Sequence, residues 1–239
     1  MSSSPPFEAF WTARNGGYEI AVNRWTTSHA AAVTAFLSAR LGLTPNHVTM
    51  MSFACGVLGF LLAFGLPAEH PGPAILVIVI LAELTFILDC ADGLLARVTG
   101  RATASGDLID HTLDVASQSC ALGAVFVYAY RAGLVLPSPD LAHAALIVGF
   151  LFLVARSTRH TAIHLSDRRL DRSASATPPK GQSLGHLMTN LLEYQASIVA
   201  MLAYLLSPAA CLVLFAAQTL FCIAAVARRL VRVANRDRA

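Results

Sequence analysis

Charge is what this sequence has least of. Of its 239 residues, 13% are charged and 56% are hydrophobic, and the mean hydropathy is +0.61. An ordinary water-soluble domain carries about 25% charged residues, so the composition points to a bilayer. Lysine is nearly missing: Lys180 is the one lysine among 17 Lys and Arg. That excess of arginine fits a GC-rich bacterial genome and hence a bacterial cell membrane. Cysteine is sparse and scattered. The five cysteines, Cys55, Cys90, Cys120, Cys211 and Cys222, form no CxxC and no Cys/His spacing, which argues against a zinc site or a redox pair and leaves packing as their role. The opening "MSSSPPFEAFW" has no basic stretch before an apolar core, so no cleaved signal peptide is expected. No internal repeat stands out.

What the chain does have is long apolar runs. A helix needs roughly 20 apolar residues to cross a hydrocarbon core. Stretches at 46–66, 72–92, 108–130, 141–158, 187–206 and 209–227 reach or approach that length. The expected fold is therefore all-α and polytopic, with six transmembrane helices. Residues 1–40 would form a cytosolic segment whose "YEIAVNRWTTSHAAAVTAFLSAR" reads as an amphipathic surface helix. Residues 41–230 would be the membrane domain and 231–239 a basic tail. On this layout every Lys and Arg except Arg131 falls on one side. The positive-inside rule then puts both termini in the cytosol. The net charge of +3 is cytosolic loop charge, suited to anionic headgroups rather than nucleic acid. "SDRRLDRSASATPPKGQS", 166–183, reads as a flexible loop.

Between the second and third runs lies "DCADGLLARVTGRATASGDLIDHTLD", residues 89–114. Asp89 and Asp92 are three apart at the end of one helix, and Asp110 and Asp114 are four apart at the start of the next. Each pair occupies one helix face. A short turn between the helices would let four carboxylates converge at the membrane surface. Ionised and close, they would repel, and divalent cations relieve this; oxygen-only ligands suit Mg²⁺ or Mn²⁺ over zinc. Gly93, Ala96 and Gly106 leave room for a phosphate ligand to approach the backbone, and Arg97 and Arg101 offer it positive charge. The plainer alternative is a solvated loop whose acids pair with Arg97 and Arg101.

The spacing D-x2-D-G-x2-A-R-x8-G-x3-D-x3-D, carried by Asp89, Asp92, Gly93, Ala96, Arg97, Gly106, Asp110 and Asp114, resembles the signature of the CDP-alcohol phosphotransferases (CDP-alcohol phosphatidyltransferases) at every fixed position. "TPNHVT", 44–49, is similar to a Pro-Asn-x-x-Thr stretch of that family. The resemblance implies transfer of a phosphoalkyl group from a CDP-alcohol to a second alcohol with release of CMP. It implies two Mg²⁺ or Mn²⁺ ions on Asp89, Asp92, Asp110 and Asp114, with Asp114 as general base. It also assigns Gly93, Ala96, Arg97, Gly106, Asn46 and Thr49 to the CDP moiety, although Thr44 or Asn46 can equally serve as a helix cap. The implied partners are a CDP-linked lipid, likeliest CDP-diacylglycerol, a small polar alcohol, membrane lipids and a second copy in a homodimer.

Other residues leave alternatives open. Arg156 and Arg159 can bind an anionic acceptor or anchor to headgroups, and they favour a phosphorylated acceptor such as glycerol 3-phosphate or an inositol phosphate over serine. The run at 187–206 holds no arginine, which counts against the inositol branch. A CDP-choline or CDP-ethanolamine type remains open, though the chain is short for it. His160 and His164 are spaced i, i+4 but lack a Glu-bearing metal motif. Asp107 reads as a helix N-terminal residue favoured by the helix dipole. Glu83 and Glu193 lie within apolar runs, where an ionisable group is a candidate by default. The rival function is a divalent-cation transporter. It would place its ionisable groups near mid-membrane, whereas these acids gather at one edge.

Overall fold

The computed structural model describes residues 5–14, 27–69 and 71–131, together with helical residues at 143, 147, 149–151, 153–159, 161, 216–217, 219–224, 226–228 and 231. The chain divides into two compact units, 1–128 and 129–239. Among the described residues all regular structure is helical. The ordered elements are α1 (Phe7–Ala13), α2 (Thr27–Arg40), α3 (Pro45–Gly65), α4 (Pro71–Thr99) and α5 (Ala104–Arg131).

The expectation of six membrane spans is corrected. Among the described residues two helices, α3 and α4, are long and apolar enough to cross a bilayer. α5 contains the third expected span, 108–130, and its 28 residues suffice in length. It fails on polarity: Asp110, Asp114, Ser117, Gln118 and Ser119 recur through its first half. Its apolar residues are concentrated in the second half, from Cys120 to Tyr130. Of the expected sixth span, Thr219–Arg228 is a shorter apolar helix. The expected span 187–206, Glu193, His160 and His164 lie outside the described residues, as do parts of 141–158 and 209–227.

Local signals set the helix boundaries. Thr44 caps α3: its Oγ1 accepts from the His47 N–H at 3.3 Å, and His47 Nδ1 accepts from the Thr44 N–H at 3.2 Å. Pro45 takes the first helical position, where its missing N–H costs nothing. The capping role considered for Thr44 or Asn46 thus falls to Thr44. α2 and α4 end in the same way. Gly42 and Gly100 adopt φ of 71° and 66°. The N–H groups of Leu43 and Arg101 reach back to the carbonyls of Ser38 and Ala96 at 2.9 and 3.0 Å. Each is a Schellman closure, which needs a left-handed residue and so favours glycine. These stops fix where the acid-bearing turn begins.

Contacts define the order of the helices. Thr49 meets Asp92, Ser52 Oγ donates to the Thr85 carbonyl at 2.8 Å, and Gly59 lies against Leu81. Partners descend on α4 as they ascend on α3, so the two form an antiparallel hairpin. α5 then runs back along both. Its Ser117 backbone touches Gly56, and Tyr128 Oη donates to the Pro67 carbonyl at 2.7 Å from a nearly fully buried position.

The N-terminal helices cover the acid-bearing end of α4. Phe10, Ala31, Ala32, Ala35, Val48, Leu88, Ala91, Leu94 and Leu95 form one buried cluster. α2 differs from the amphipathic expectation. Its buried face is Thr27, Ser28, Ala31, Ala32, Ala35 and Ser38, while Val33, Leu37 and Leu41 face outward. Small residues let α2 approach α4 closely, and the larger apolar side chains are left on the outside. Residues 18–26, the first part of the expected surface helix, lie outside the described residues.

Candidate active site

The turn between α4 and α5 is short, and its residues are held by capping. Thr103 precedes α5; its Oγ1 accepts from the Gly106 N–H at 3.0 Å, and its carbonyl accepts from the Asp107 N–H at 2.9 Å. Antiparallel packing then brings the two acid pairs together crosswise. The carboxyls of Asp89 and Asp114 stand within hydrogen-bonding reach of each other, as do those of Asp92 and Asp110. Asp92 is 2% and Asp114 8% exposed. Asp89 and Asp110 are half-buried, and Asp107 is exposed.

Neutral donors steady these acids. Thr49 Oγ1 donates to Asp92 Oδ2 at 2.5 Å, across from α3 to α4. Gln118 Nε2 donates to Asp114 Oδ1 at 2.5 Å along α5. Ser117, though adjacent, directs its hydroxyl to the Asp114 carbonyl at 3.0 Å.

A cleft of about 220 Å³ opens beside the Asp92–Asp110 pair. Its lining includes Asn46, Thr49, Gly93, Ala96, Arg97 and Gly106, the residues singled out for the CDP moiety, brought from three helices to one concavity. Arg101, Thr103 and Asp107 complete its wall. Asp89 and Asp114 do not line this cleft; they lie one turn further along both helices. The glycines matter because side chains would intrude: a Cβ on Gly106 would sit 2.9 Å from Thr103 Oγ1 and 3.5 Å from Asn46 Oδ1, and one on Gly93 would sit 3.3 Å from the Arg97 guanidinium. Thr49, buried at 4% exposure, has its single proton directed to Asp92, with the Pro45 carbonyl a longer second acceptor at 3.2 Å.

Two carboxylates at hydrogen-bonding distance cannot both stay ionised unless something positive stands between them. A proton or a divalent cation meets that need. The donors are all oxygen, which fits Mg²⁺ or Mn²⁺. The acids meet as two pairs; among the described residues no group of three or more His, Cys, Asp or Glu is arranged as a ready metal cluster. The chemistry of the donor set fits, and Asp89, Asp92, Asp110 and Asp114 would hold such ions.

Three sequence candidates remain. Arg156 and Arg159 belong to the second unit and are half-buried; the Arg159 guanidinium lies 5.4 Å from the Phe221 ring centroid. Glu83 is half-buried within α4. Sequence reasoning missed Gln118 as a partner of Asp114, although the i, i+4 spacing signals it. It also missed Thr49 as a partner of Asp92, for which no local signal exists.

Two acid pairs thus meet where α4 ends and α5 begins, and one of them, Asp92 with Asp110, borders a cleft. A family model for CDP-alcohol phosphatidyltransferase matches residues 42–228, and the chain belongs to that family. Its general role is transfer from a CDP-alcohol. No curated protein matches the chain.

Proposed function

We propose that this protein transfers a phosphatidyl group from CDP-diacylglycerol to the hydroxyl of a small, phosphorylated alcohol and releases CMP. The observation that carries the reading is the crosswise pairing of Asp89 with Asp114 and Asp92 with Asp110, set beside a cleft lined by Asn46, Gly93, Ala96, Arg97 and Gly106. Asp89, Asp92, Asp110 and Asp114 hold two Mg²⁺ or Mn²⁺ ions. When bound, such ions neutralise charge on the pyrophosphate oxygens of an in-line displacement.

The protein's own groups do the rest. The cleft takes the cytidine diphosphate moiety. Gly93 and Gly106 let its phosphates approach the backbone, and Arg97 contributes a planar, permanently charged donor to their oxygens. Thr49 holds Asp92 rather than the nucleotide. Asp114 takes the proton from the acceptor hydroxyl one helical turn deeper, roughly 5 Å along the axis. The acceptor oxygen bonds to the phosphorus that carries the lipid. The bond from that phosphorus to the bridging oxygen breaks, and CMP departs with the electron pair. The preference for a phosphorylated acceptor rests on the sequence positions of Arg156 and Arg159.

Topology supports a cytosolic site. α3 starts and α4 ends on the same side, next to Arg40, Arg97 and Arg101, while the turn between them, residues 66–70, has no Lys or Arg. This is the asymmetry the positive-inside rule associates with the cytosol. Acyl chains can then stay among the apolar helices while the nucleotide remains in water.

The test is direct. The purified full chain is incubated with CDP-diacylglycerol, Mn²⁺ and a panel of polar alcohols, and CMP is measured. Release that depends on one alcohol is expected. No CMP with any member of the panel would refute the reading.

A further inference from the structure

We propose that Gln118, which lies outside the family signature, is a positioning residue that sets the Asp114 carboxylate for its work; this rests on the role given to Asp114 above. Gln118 is one helical turn beyond Asp114 on α5, and its Nε2 donates to Asp114 Oδ1 at 2.5 Å in a part-buried setting. A carboxylate only accepts, so the contact fixes which end of the amide faces it. The Asp114 carboxyl also meets Asp89, from the facing helix. Gln118 therefore holds a carboxyl that belongs to one of the two acid pairs.

Three features make this more than a passing contact. First, α5 cannot slide or rotate freely here. The Ser117 carbonyl lies so near Gly56 that a Cβ there would be 2.6 Å away, and Ser117 is 1% exposed. The backbone that carries Gln118 is thus pinned to α3. Second, the neighbouring hydroxyl of Ser117 is directed to the Asp114 carbonyl instead of its carboxyl, which leaves the carboxyl contact to the amide. Third, the donor is neutral. A Lys or Arg in this place would supply a full positive charge and compete with a divalent ion for the carboxylate. An amide orients Asp114 and leaves its charge available. Thr49 does the same for Asp92 from the opposite helix, so each buried acid, Asp92 and Asp114, is met by an uncharged side-chain donor.

The test uses the full chain in detergent and two readouts: Mn²⁺ binding followed by electron paramagnetic resonance without substrate, and steady-state CMP release. Gln118→Met keeps length and helix propensity and removes the donor. Gln118→Glu keeps shape and replaces the donor with a carboxylate. Partners one shell out from a metal ligand typically matter by about 10–100-fold. Both variants are expected to weaken Mn²⁺ binding and lower kcat by about tenfold, with KM for the CDP-alcohol within about twofold and a fall in melting temperature too small to account for the lost activity. Wild-type Mn²⁺ affinity and kcat in Gln118→Met would overturn the proposal. So would a loss of activity that tracks a lowered melting temperature in both variants. Wild-type protein that binds Mn²⁺ but releases no CMP would refute the proposed reaction, while the Mn²⁺ comparison still decides the role of Gln118. Wild-type protein that binds no Mn²⁺ would overturn both.

Discussion

Thr49 and Asp92 are joined by a 2.5 Å hydrogen bond that crosses from α3 to α4. Both side chains are buried, at 4% and 2% exposure, and the contact ties the first helix of the hairpin to the acid-bearing end of the second. Thr49 also lines the cleft, and its hydroxyl serves an acid of the signature. Thr49→Val keeps the shape and removes the donor. It should lower Mn²⁺ affinity by about tenfold or more and leave a buried acceptor short of a partner at a cost of about 1–3 kcal/mol. Thr49→Ser should retain most activity. Mn²⁺ titration and thermal melting of the two variants check this, and a Val variant equal to wild type in both would remove Thr49 from the site.

Gly56 sets the depth at which α5 docks. Replacing it with Ala places a methyl 2.6 Å from the Ser117 carbonyl, a backbone atom that cannot swing aside. Overpacking of this kind costs about 1–3 kcal/mol. The shift would also move Asp114 and Gln118, so activity should fall more than stability alone explains. Gly72→Ala is the matched control: nothing lies within 4 Å of its would-be Cβ, and alanine in a helix should leave the melting temperature unchanged or raise it. Melting temperature and CMP release for the pair separate close packing from helix propensity.

The site was more legible in the sequence than the fold. Asp89, Asp92, Asp110 and Asp114 could be found because helix pitch converts spacings of three and four into shared faces, and that rule needs no tertiary knowledge. The third expected span fell short because apolar length alone does not weigh polar residues recurring through half of a helix, as they do in α5. In α5, Asp110, Asp114, Ser117 and Gln118 share the side that meets the other helices. The Thr49–Asp92 bond, 43 residues apart in sequence, and the approach of Gly56 to Ser117 depend on how helices dock, which no local pattern encodes. α2 misled for a related reason: its small residues pack inward against α4 and its large apolar ones point away.

Gly106 has two duties that one substitution should separate from Gly93. A Cβ at Gly106 would press on Thr103 Oγ1 at 2.9 Å, the atom that caps α5, and would narrow the cleft near Asn46. Gly106→Ala should therefore raise the KM for the CDP-alcohol and also lower stability by about 1 kcal/mol through the damaged cap. At Gly93 the nearest atom is the end of the Arg97 side chain, 3.3 Å away, which can give way. Gly93→Ala should raise KM without the loss in melting temperature. Equal melting losses in the two would show that capping by Thr103 is not what Gly106 protects.

Metal removal gives the broadest test, because it reads both stability and turnover. If the crosswise acid pairs hold Mg²⁺ or Mn²⁺, chelation should abolish CMP release and either ion should restore it. The same ions should raise the melting temperature of the substrate-free protein, since a ligand that binds only the folded state stabilises it by about 2.7 kcal/mol at a hundredfold excess over its dissociation constant. Removing one carboxylate should separate the pairs. In Asp92→Asn and Asp110→Asn the carboxyl beside the cleft is lost, so donor affinity should suffer together with metal affinity. In Asp114→Asn the loss falls one turn away from the cleft; donor binding should survive while turnover falls by about a hundredfold or more, within the range for a general base. An Asp114→Asn protein that still turns over near the wild-type rate would leave that carboxyl a structural partner of Asp89 and Gln118 and nothing more.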